Sequence, residues 1–229
     1  MQRKSIVLLS GGLDSALSIV LAKQESHVLY GLTYDYGQNS VKKEIKASLA
    51  ICAHLMIEHK VVKLPFFEEL RNHPLLGNAK PPTVTIEELD DKEKTKDTAK
   101  AVWVPNRNGI FLNIAAGLAE MNKVDYLYAG FNKEEASTFP DNTEDFLKAM
   151  NQSLSFSTWQ NVFVKAPSIG MTKPEIVKKL VEKKFPLELV WSCYKDDGEK
   201  MCGECESCMR LKRALMENDM EELVEAVFT

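Results

Sequence analysis

The most informative pattern in the sequence is the segment Lys4-Ser-Ile-Val-Leu-Leu-Ser-Gly-Gly-Leu-Asp-Ser15. Its apolar run, 6–9, leads directly into two adjacent glycines, and an amphipathic stretch begins at Ala16. This order predicts a buried strand, a tight loop and a helix. Gly11 and Gly12 permit backbone conformations closed to other residues, so their N–H groups can approach an anion at the helix N-terminus. The segment therefore predicts a phosphate-binding loop, the alternative being a Gly-Gly turn without a ligand.

The type of phosphate loop follows from what this segment lacks. Neither the Walker pattern nor the G-x-G-x-x-G dinucleotide fingerprint is present. No lysine in the loop can reach a terminal phosphate, and Asp14 acts either through a magnesium ion or on the backbone of the loop. We expect Asp14 and Ser15 to be catalytic. The residues expected to bind ATP are Leu9, Ser10, Gly11, Gly12, Leu13, Asp14, Ser15 and Ala16.

Composition narrows the class of protein. The chain has 229 residues and a net charge of −4, which is not typical of a protein with a large nucleic-acid surface. No apolar run approaches the roughly 20 residues that cross a membrane, and the N-terminus does not resemble a secretory signal. We therefore expect a cytoplasmic protein that binds neither membrane nor nucleic acid. The sequence leaves a homodimer open.

Five apolar runs alternate with helical patterns along the chain. This alternation predicts an α/β fold with a doubly wound, mostly parallel five-stranded sheet. Thr172 and Glu175 predict a capping box at the start of the helix that follows the fifth run. The pattern breaks over 65–100, where prolines and mixed charge predict an irregular, partly helical insertion or lid. We predict an ATP-binding domain over 1–185 and a metal-binding segment with helical structure over 186–229.

Polar residues follow two of the predicted strands, at the sheet edge where ligands bind in open α/β folds. They are Tyr36 and Gln38 after the second strand and Glu135 and Asp141 after the fourth. Arg107 precedes a helix, where its guanidinium can bind a phosphate or a carboxylate. Plainer alternatives are a turn at Tyr36, a surface ion pair at Arg107 and a helix cap at Asp141.

Four of the five cysteines fall in one short stretch near the end of the chain: Cys193, Cys202, Cys205 and Cys208. Four thiolates suit a tetrahedral structural zinc ion, and the alternative is an iron–sulfur cluster. The basic residues that follow, Arg210, Lys212 and Arg213, can offset the charge of the thiolates. The remaining cysteine, Cys52, is interpreted as a small core residue.

Together these motifs resemble the 7-cyano-7-deazaguanine synthase family of the ATP-pyrophosphatase superfamily. The resemblance rests on S-G-G-L-D-S at 10–15, D-Y-G-Q at 35–38, V-P-N-R-N at 104–108, F-P-D at 139–141 and the cysteine pattern, in order over nearly the whole chain. It implies that 7-carboxy-7-deazaguanine and ammonia are converted to the nitrile with Mg²⁺ and ATP, through adenylated carboxylate and amide intermediates. It also implies that Tyr36, Gln38, Arg107, Glu135 and Asp141 bind substrate, with Arg107 catalytic.

Two departures from the family pattern keep other substrates open. Asn39 and Ser40 replace an Arg-His pair, and Asn142 and Thr143 replace a Cys-Arg pair. The alternatives are a tRNA-modifying or amide-forming relative of the same superfamily, a divergent branch acting on another carboxylate or amide, and a non-catalytic adaptor stabilised by zinc.

Overall fold

The strand–loop–helix unit predicted at the start of the chain is present. In the computed structural model, which describes residues 2–70, 72–77 and 79–229, β1 spans Lys4–Leu8 and α1 spans Leu13–Glu25. The other strands are β2 (His27–Asp35), β3 (Glu58–Lys63), β4 (Tyr126–Tyr128) and β5 (Phe163–Lys165). The other helices are α2 (Val41–His54), α3 (Lys92–Ala101), α4 (Arg107–Met121), α5 (Lys133–Ala136), α6 (Glu144–Ser157), α7 (Lys173–Glu182), α8 (Glu206–Met216) and α9 (Glu221–Val227).

All five strands belong to one parallel sheet in the order β3-β2-β1-β4-β5. The predicted fold class is therefore confirmed. The chain builds outward from β1 to β3 in one direction and then crosses to β4 on the other side of β1. This reversal between β1 and β4 opens a crevice outside the carboxyl ends of the strands, the place where such folds bind ligands.

Hydrophobic clusters cover both faces of the sheet. One cluster joins α1, α2 and α7 to the sheet, and the other joins α4 and α6 to it. Ile6 and Leu127 are fully buried on the α4 side, whereas Val7 and Tyr128 are fully buried on the α1 side. Alternate residues of a strand thus pack against opposite layers of helices, as the pleat of a sheet requires.

The C-terminal segment packs on the α1 side of the sheet. Cys193, Cys205 and Leu211 belong to the same hydrophobic cluster as Leu13 of α1 and Ile176 of α7. The segment also crosses the first loop, because the Trp191 N–H donates to the Gly11 carbonyl at 2.9 Å. This contact brings the last fifth of the chain to the edge of the crevice.

The segment 65–100 is more ordered than its composition suggests. It contains 3₁₀ turns at Pro65–Glu69 and Glu87–Asp90, and the charge-rich run at its end is the ten-residue α3. The Asp91 carboxylate caps α3 by accepting from the N–H groups of Glu93 and Lys94. The segment contacts the C-terminal segment through Val84 and Asp90, the latter paired with Arg213 at 2.9 Å.

Two helix starts test the predicted caps. Glu175 accepts from the Thr172 N–H at 2.8 Å, so the predicted capping box of α7 is present. The alternative that Asp141 caps the following helix is wrong, because the N-cap of α6 is Thr143, whose hydroxyl accepts from the Phe146 N–H at 3.2 Å. Asp141 lies one turn earlier, in the 3₁₀ turn Pro140–Asn142. Across the described ranges, no helix is both long and apolar enough to span a bilayer.

Candidate active site

A cavity of about 270 Å³ lies at the carboxyl ends of β1 and β4. Its floor is the first loop, 9–15, and its walls come from the ends of β2 and β4, the start of α4, the first turn of α7 and the C-terminal segment. Predicted site residues that line it are Leu9, Ser10, Gly12, Leu13, Asp14, Ser15, Tyr36, Arg107, Glu135 and Asp141. Residues from distant parts of the chain thus meet at the crevice.

The first loop presents unpaired backbone donors to this cavity. Gly12 is the N-cap of α1 and has no side chain to satisfy the first turn, where the N–H groups of Leu13, Asp14 and Ser15 have no intrahelical partner. The Ser15 hydroxyl donates back to the Gly12 carbonyl at 3.0 Å and holds the loop in shape. By contrast, Thr143 and Asp91 cap α6 and α3. An uncapped helix start that faces a cavity is suited to bind an anion.

Two glycines make this close packing feasible. Gly11 has φ +79°, and a Cβ there would lie 2.7 Å from the Ala47 Cβ. Gly130 lies two residues after β4, and a Cβ there would lie 2.7 Å from the Ser15 backbone nitrogen. Because the second obstacle is backbone, a side chain at Gly130 would push the end of β4 away from the phosphate loop.

A buried lysine bridges two of the predicted acidic residues. The Lys173 ammonium lies 2.9 Å from Asp14 Oδ2 and 3.0 Å from Glu135 Oε1, and its side chain is only 7% exposed. Burial lowers the pKa of Lys173, but the two carboxylates outweigh it and raise this pKa above its ordinary value. Burial raises the pKa of Asp14, whereas Lys173 outweighs burial at Glu135 and lowers its pKa. Lys173 therefore stays charged next to the phosphate loop.

Tyr36 and Arg107 meet on the opposite wall of the cavity. The Arg107 guanidinium donates to the Tyr36 hydroxyl oxygen at 3.4 Å. Burial disfavours the charge of Arg107, but Tyr36 and Asp141 raise its pKa above the ordinary value. Burial raises the pKa of Asp141, and Arg107 acts against this effect. A permanently charged guanidinium thus faces the cavity with a carboxylate nearby.

Gln38 does not line the cavity, although the sequence predicts that it binds substrate. Its amide nitrogen donates to the Tyr34 carbonyl at 3.0 Å and to Glu44 Oε2 at 2.9 Å, and its Oε1 accepts from the Tyr36 N–H at 3.0 Å. The side chain is 3% exposed. These contacts place Gln38 behind Tyr36, where it holds the end of β2. Gly11 and Ala16 also lie outside the cavity lining.

Among the charged residues of the cavity lining, sequence reasoning did not identify Glu44, Lys173, Glu206 and Arg210. Arg210 pairs with Glu206 at 2.7 Å and with Glu134 at 3.2 Å, and Glu134 also accepts from the Lys173 N–H at 2.7 Å. The sequence contained one signal for Lys173. It lies between Thr172 and Glu175, where the capping box itself does not require a charged side chain. Its contact with Asp14 spans 159 positions of sequence, which no local pattern can show.

The four clustered cysteines form a candidate metal site. Their sulfur atoms all lie within 4.8 Å of one another, and the Cys202 and Cys208 sulfurs are 3.8 Å apart. Tetrahedral ligands at about 2.3 Å from a zinc ion lie about 3.8 Å apart, so this spacing fits one bound metal ion. Backbone N–H groups of Lys195 and Cys202 donate to the Cys193 sulfur. Hydrogen bonds from Cys205 and Cys208 lower the pKa of Cys193, which favours a thiolate.

Two of the basic residues after the cluster form ion pairs with carboxylates. Arg210 lies 3.2 Å from Glu134, and Arg213 lies 2.9 Å from Asp90 and 3.3 Å from Glu134. The arginines therefore tie α8 to the acidic side of the cavity.

Cys52 is 1% exposed, in the core as predicted, and burial raises the pKa of its thiol to about 11.

This sheet order, with an uncapped Ser-Gly-Gly loop at the switch point, defines an ATP-dependent enzyme of the ATP-pyrophosphatase class. The family described as "Queuosine biosynthesis protein QueC" matches residues 4–219. The chain belongs to this family, as the motifs indicate.

Similar proteins agree with this assignment. A 7-cyano-7-deazaguanine synthase of Pelotomaculum thermopropionicum is 47% identical over 212 residues, 92% of this chain and 96% of the relative. One from Bdellovibrio bacteriovorus is 48% identical over 214 residues, 93% of this chain and 92% of the relative. Among solved structures, a 4-thiouridine synthetase–RNA complex with bound ATP has a TM-score of 0.50 and 19% identity, covering 98% of this chain and 53% of that one. This last likeness concerns the fold alone.

Proposed function

We propose that the chain converts 7-carboxy-7-deazaguanine and ammonia to 7-cyano-7-deazaguanine at the expense of ATP. The name that its relatives share supports the product, and their sequences align with more than nine-tenths of this chain. The uncapped start of α1 in the cavity supports the use of ATP. A carboxylate is a poor electrophile, so the reaction needs adenylation of the substrate, with pyrophosphate as the leaving group.

The first loop and Lys173 act on the departing pyrophosphate. The N–H groups of Leu13, Asp14 and Ser15 are fixed donors in a cavity that is partly shielded from water, so they stabilise developing negative charge without reorganisation. The Lys173 ammonium supplies the cation that the loop sequence lacks, and Asp14 and Glu135 hold it in position. We assign Ser15 to shaping the loop through its bond to Gly12.

The carboxylate of Asp14 fits a magnesium ion. Its Oδ2 is bonded to Lys173, whereas its Oδ1 is buried without a hydrogen-bond partner. An unpaired buried carboxylate oxygen is destabilising, and a hard divalent cation prefers oxygen ligands. Asp14 would hold a magnesium ion bound with ATP, and the ion would supply positive charge that offsets the charge of the phosphates.

The remaining steps need positioning and not a covalent enzyme nucleophile. Ammonia attacks the acyl adenylate and releases AMP, which gives the amide. A second adenylation on the amide oxygen then allows loss of AMP and leaves the nitrile. In this proposal Arg107 holds the substrate carboxylate or a phosphate, and Tyr36 orients the guanidinium. If an Arg107→Ala variant kept kcat/KM within about twofold of the wild-type value, this role of Arg107 would be wrong.

The metal of the four-cysteine site is zinc in this proposal, with a structural role. All four ligands come from the protein, so no coordination position is left for a substrate. Elemental analysis of protein purified without metal-affinity resin should give about one zinc per chain. Stoichiometric iron with visible colour would favour the iron–sulfur cluster alternative.

Three further expectations from the sequence remain predictions. They are a cytoplasmic location, a homodimer and a domain boundary at residue 185.

The deciding experiment combines pure protein with ATP, magnesium, ammonium and 7-carboxy-7-deazaguanine. Mass spectrometry of the products should show the nitrile with AMP and pyrophosphate, and two AMP for each nitrile formed. ADP in place of AMP would contradict the role of the first loop. AMP without nitrile would show that another carboxylate is the substrate.

A further inference from the structure

Two aromatic side chains form a flat surface inside the cavity that no step of the reaction has used. The rings of Trp103 and Phe139 are parallel to within 10°, and their centroids are 6.1 Å apart. Both residues line the cavity and both are half-buried. Aromatic carbons in contact lie about 3.5–4 Å apart, so at this centroid distance most of each ring face is not covered by the other. Two broad apolar faces are therefore available to a planar ligand.

The protein holds both rings in place. Val102 and Val104 on either side of Trp103 are 5% and 3% exposed, which anchors the backbone in the core. The Trp103 carbonyl accepts from His73 Nε2 at 3.0 Å. The Phe139 N–H donates to the Glu135 carbonyl at 2.8 Å, at the end of α5. A surface held in this way stacks on a flat ligand with little loss of side-chain freedom.

The carboxylate beside this surface differs from the other acids of the cavity. Asp14 and Glu135 are bonded to Lys173, and Glu206 is bonded to Arg210. Glu44 accepts from the Ser40 hydroxyl and the Gln38 amide. Asp141 accepts from the Asn142 side chain at 3.1 Å and forms no ion pair within the part of the chain that is described. It follows Phe139 by two residues, so the ring and the carboxylate belong to the same turn. Since the free oxygen of Asp14 is assigned to magnesium, Asp141 is the cavity acid best placed to accept bonds from a base.

We propose that Trp103 and Phe139 stack on the deazapurine base and that Asp141 accepts from its N1–H and 2-amino groups. This inference rests on the proposed function. A guanine-like edge presents two adjacent donors, and a carboxylate presents two acceptors, so the two match. Adenine presents one amino donor beside an acceptor at N1, so the same carboxylate would gain one bond and be repelled by N1. The surface therefore belongs to the base and not to ATP.

The test of the stacking surface measures KM for the base and KM for ATP separately. Trp103→Leu should raise KM for 7-carboxy-7-deazaguanine roughly tenfold or more, the usual effect of losing one base–aromatic stack, while KM for ATP stays within about twofold. Phe139→Leu should act in the same direction, and Trp103→Phe, which keeps a ring, should act weakly. Trp159→Leu is the matched control, since Trp159 is 98% exposed. Thermal unfolding midpoints verify that each variant is folded.

An increase in KM for ATP alone would assign the surface to adenine and overturn the inference. So would an unchanged KM for the base in both leucine variants. A wild-type protein that forms no nitrile would instead contradict the proposed function, so the two failures are distinguishable.

The role of Asp141 is tested with a substrate that lacks the 2-amino group. The wild-type protein should prefer the natural base in kcat/KM by about tenfold or more, since the lost bond is charge-assisted. In Asp141→Asn, which is isosteric, this preference should fall to within about threefold. Glu135→Gln should slow both substrates and keep the preference. If Asp141→Asn slows both substrates equally and keeps the preference, Asp141 has only a structural role.

Discussion

At the scale of single residues, Lys173 has the largest consequence for both stability and chemistry. Its two carboxylate partners, Asp14 and Glu135, are only 14% and 32% exposed, so its removal leaves their negative charge uncompensated in a partly buried site. Lys173→Met should lower the free energy of unfolding by about 3 kcal/mol or more, the usual result of breaking a buried ion pair. It should also abolish AMP formation. Chemical denaturation and nucleotide analysis measure the two effects.

The matched control lies on the same helix. Lys179 pairs with Glu182 at the surface, where the side chains are 39% and 49% exposed. Lys179→Met should therefore change the free energy of unfolding by less than about 1 kcal/mol and leave AMP formation intact. The double variant Lys173→Met/Glu135→Gln should recover part of the stability but none of the activity. Recovery of activity would mean that the lysine is needed only to balance charge.

Gly130 offers a second test at the residue scale. A methyl group there would meet the Ser15 backbone nitrogen at 2.7 Å, and neither strand end nor loop can move away cheaply. Gly130→Ala should lower the free energy of unfolding by about 1–3 kcal/mol and weaken ATP binding. Gly117→Ala is the control, because no atom lies within 4 Å of a methyl group there and alanine favours its helix by about 0.5–1 kcal/mol. Equal unfolding midpoints for the two variants would contradict the close packing.

At the scale of elements, the segment 65–100 positions one wall of the cavity through His73. The Leu75 N–H donates to His73 Nδ1, so the proton is on Nε2, which donates to the Trp103 carbonyl. If Nδ1 were protonated, its N–H would face the Leu75 N–H, and two donors cannot form a hydrogen bond with each other. Burial has the largest effect on the pKa of His73 and lowers it. The charge of Arg107 also lowers this pKa, whereas the bond to the Trp103 carbonyl acts in the opposite direction. The neutral ring is therefore part of the folded state.

The pH dependence of stability follows from this shift. Because the folded pKa lies below the ordinary value of about 6.5, the stabilisation is present above that value and is lost as pH falls through the folded pKa. His73→Gln keeps a donor and an acceptor but does not titrate, so its free energy of unfolding should fall less between neutral and acid pH. His54→Gln, at an exposed histidine, should behave like the wild type. Parallel pH profiles for all three proteins would contradict this role.

The sequence predicts elements well where their pattern is local. The strands and most helices follow from apolar periodicity, and the capping box of α7 from four consecutive residues. Helix α3 is harder to predict, since the buried residues described for it are Thr95 and Ala99, within a run of charges. Gln38 shows the converse problem: its motif is recognisable, but only the fold shows that its amide is used within the protein.

At the scale of the whole molecule, the metal site is part of the main hydrophobic cluster. Cys193, Cys205 and Cys208 pack with residues of α1 and α7, and α8 carries Glu206 and Arg210 to the cavity. Removal of the metal should therefore lower the unfolding midpoint of the entire chain and reduce AMP formation, rather than loosen the C-terminal segment alone. Calorimetry and nucleotide assays before and after chelation measure both.

The control for metal removal uses the remaining cysteine. Cys52→Ala should bind the same amount of metal as the wild type, whereas Cys208→Ser should bind less and unfold at a lower temperature. An apoprotein with an unchanged midpoint and full activity would show that the four cysteines do not support the fold through a metal. The sequence identifies this site unaided, because three of its ligands lie within seven residues.

The bond between Trp191 and Gly11 has a consequence for how the chain is made. Synthesis runs from the N-terminus, so the phosphate loop leaves the ribosome first and Trp191 follows 180 residues later. Lys173 and Arg210 also arrive late. A growing chain can form β1, α1 and β2 early, but it has no completed ATP site until its last fifth has emerged. The order of synthesis therefore keeps unfinished chains from consuming ATP.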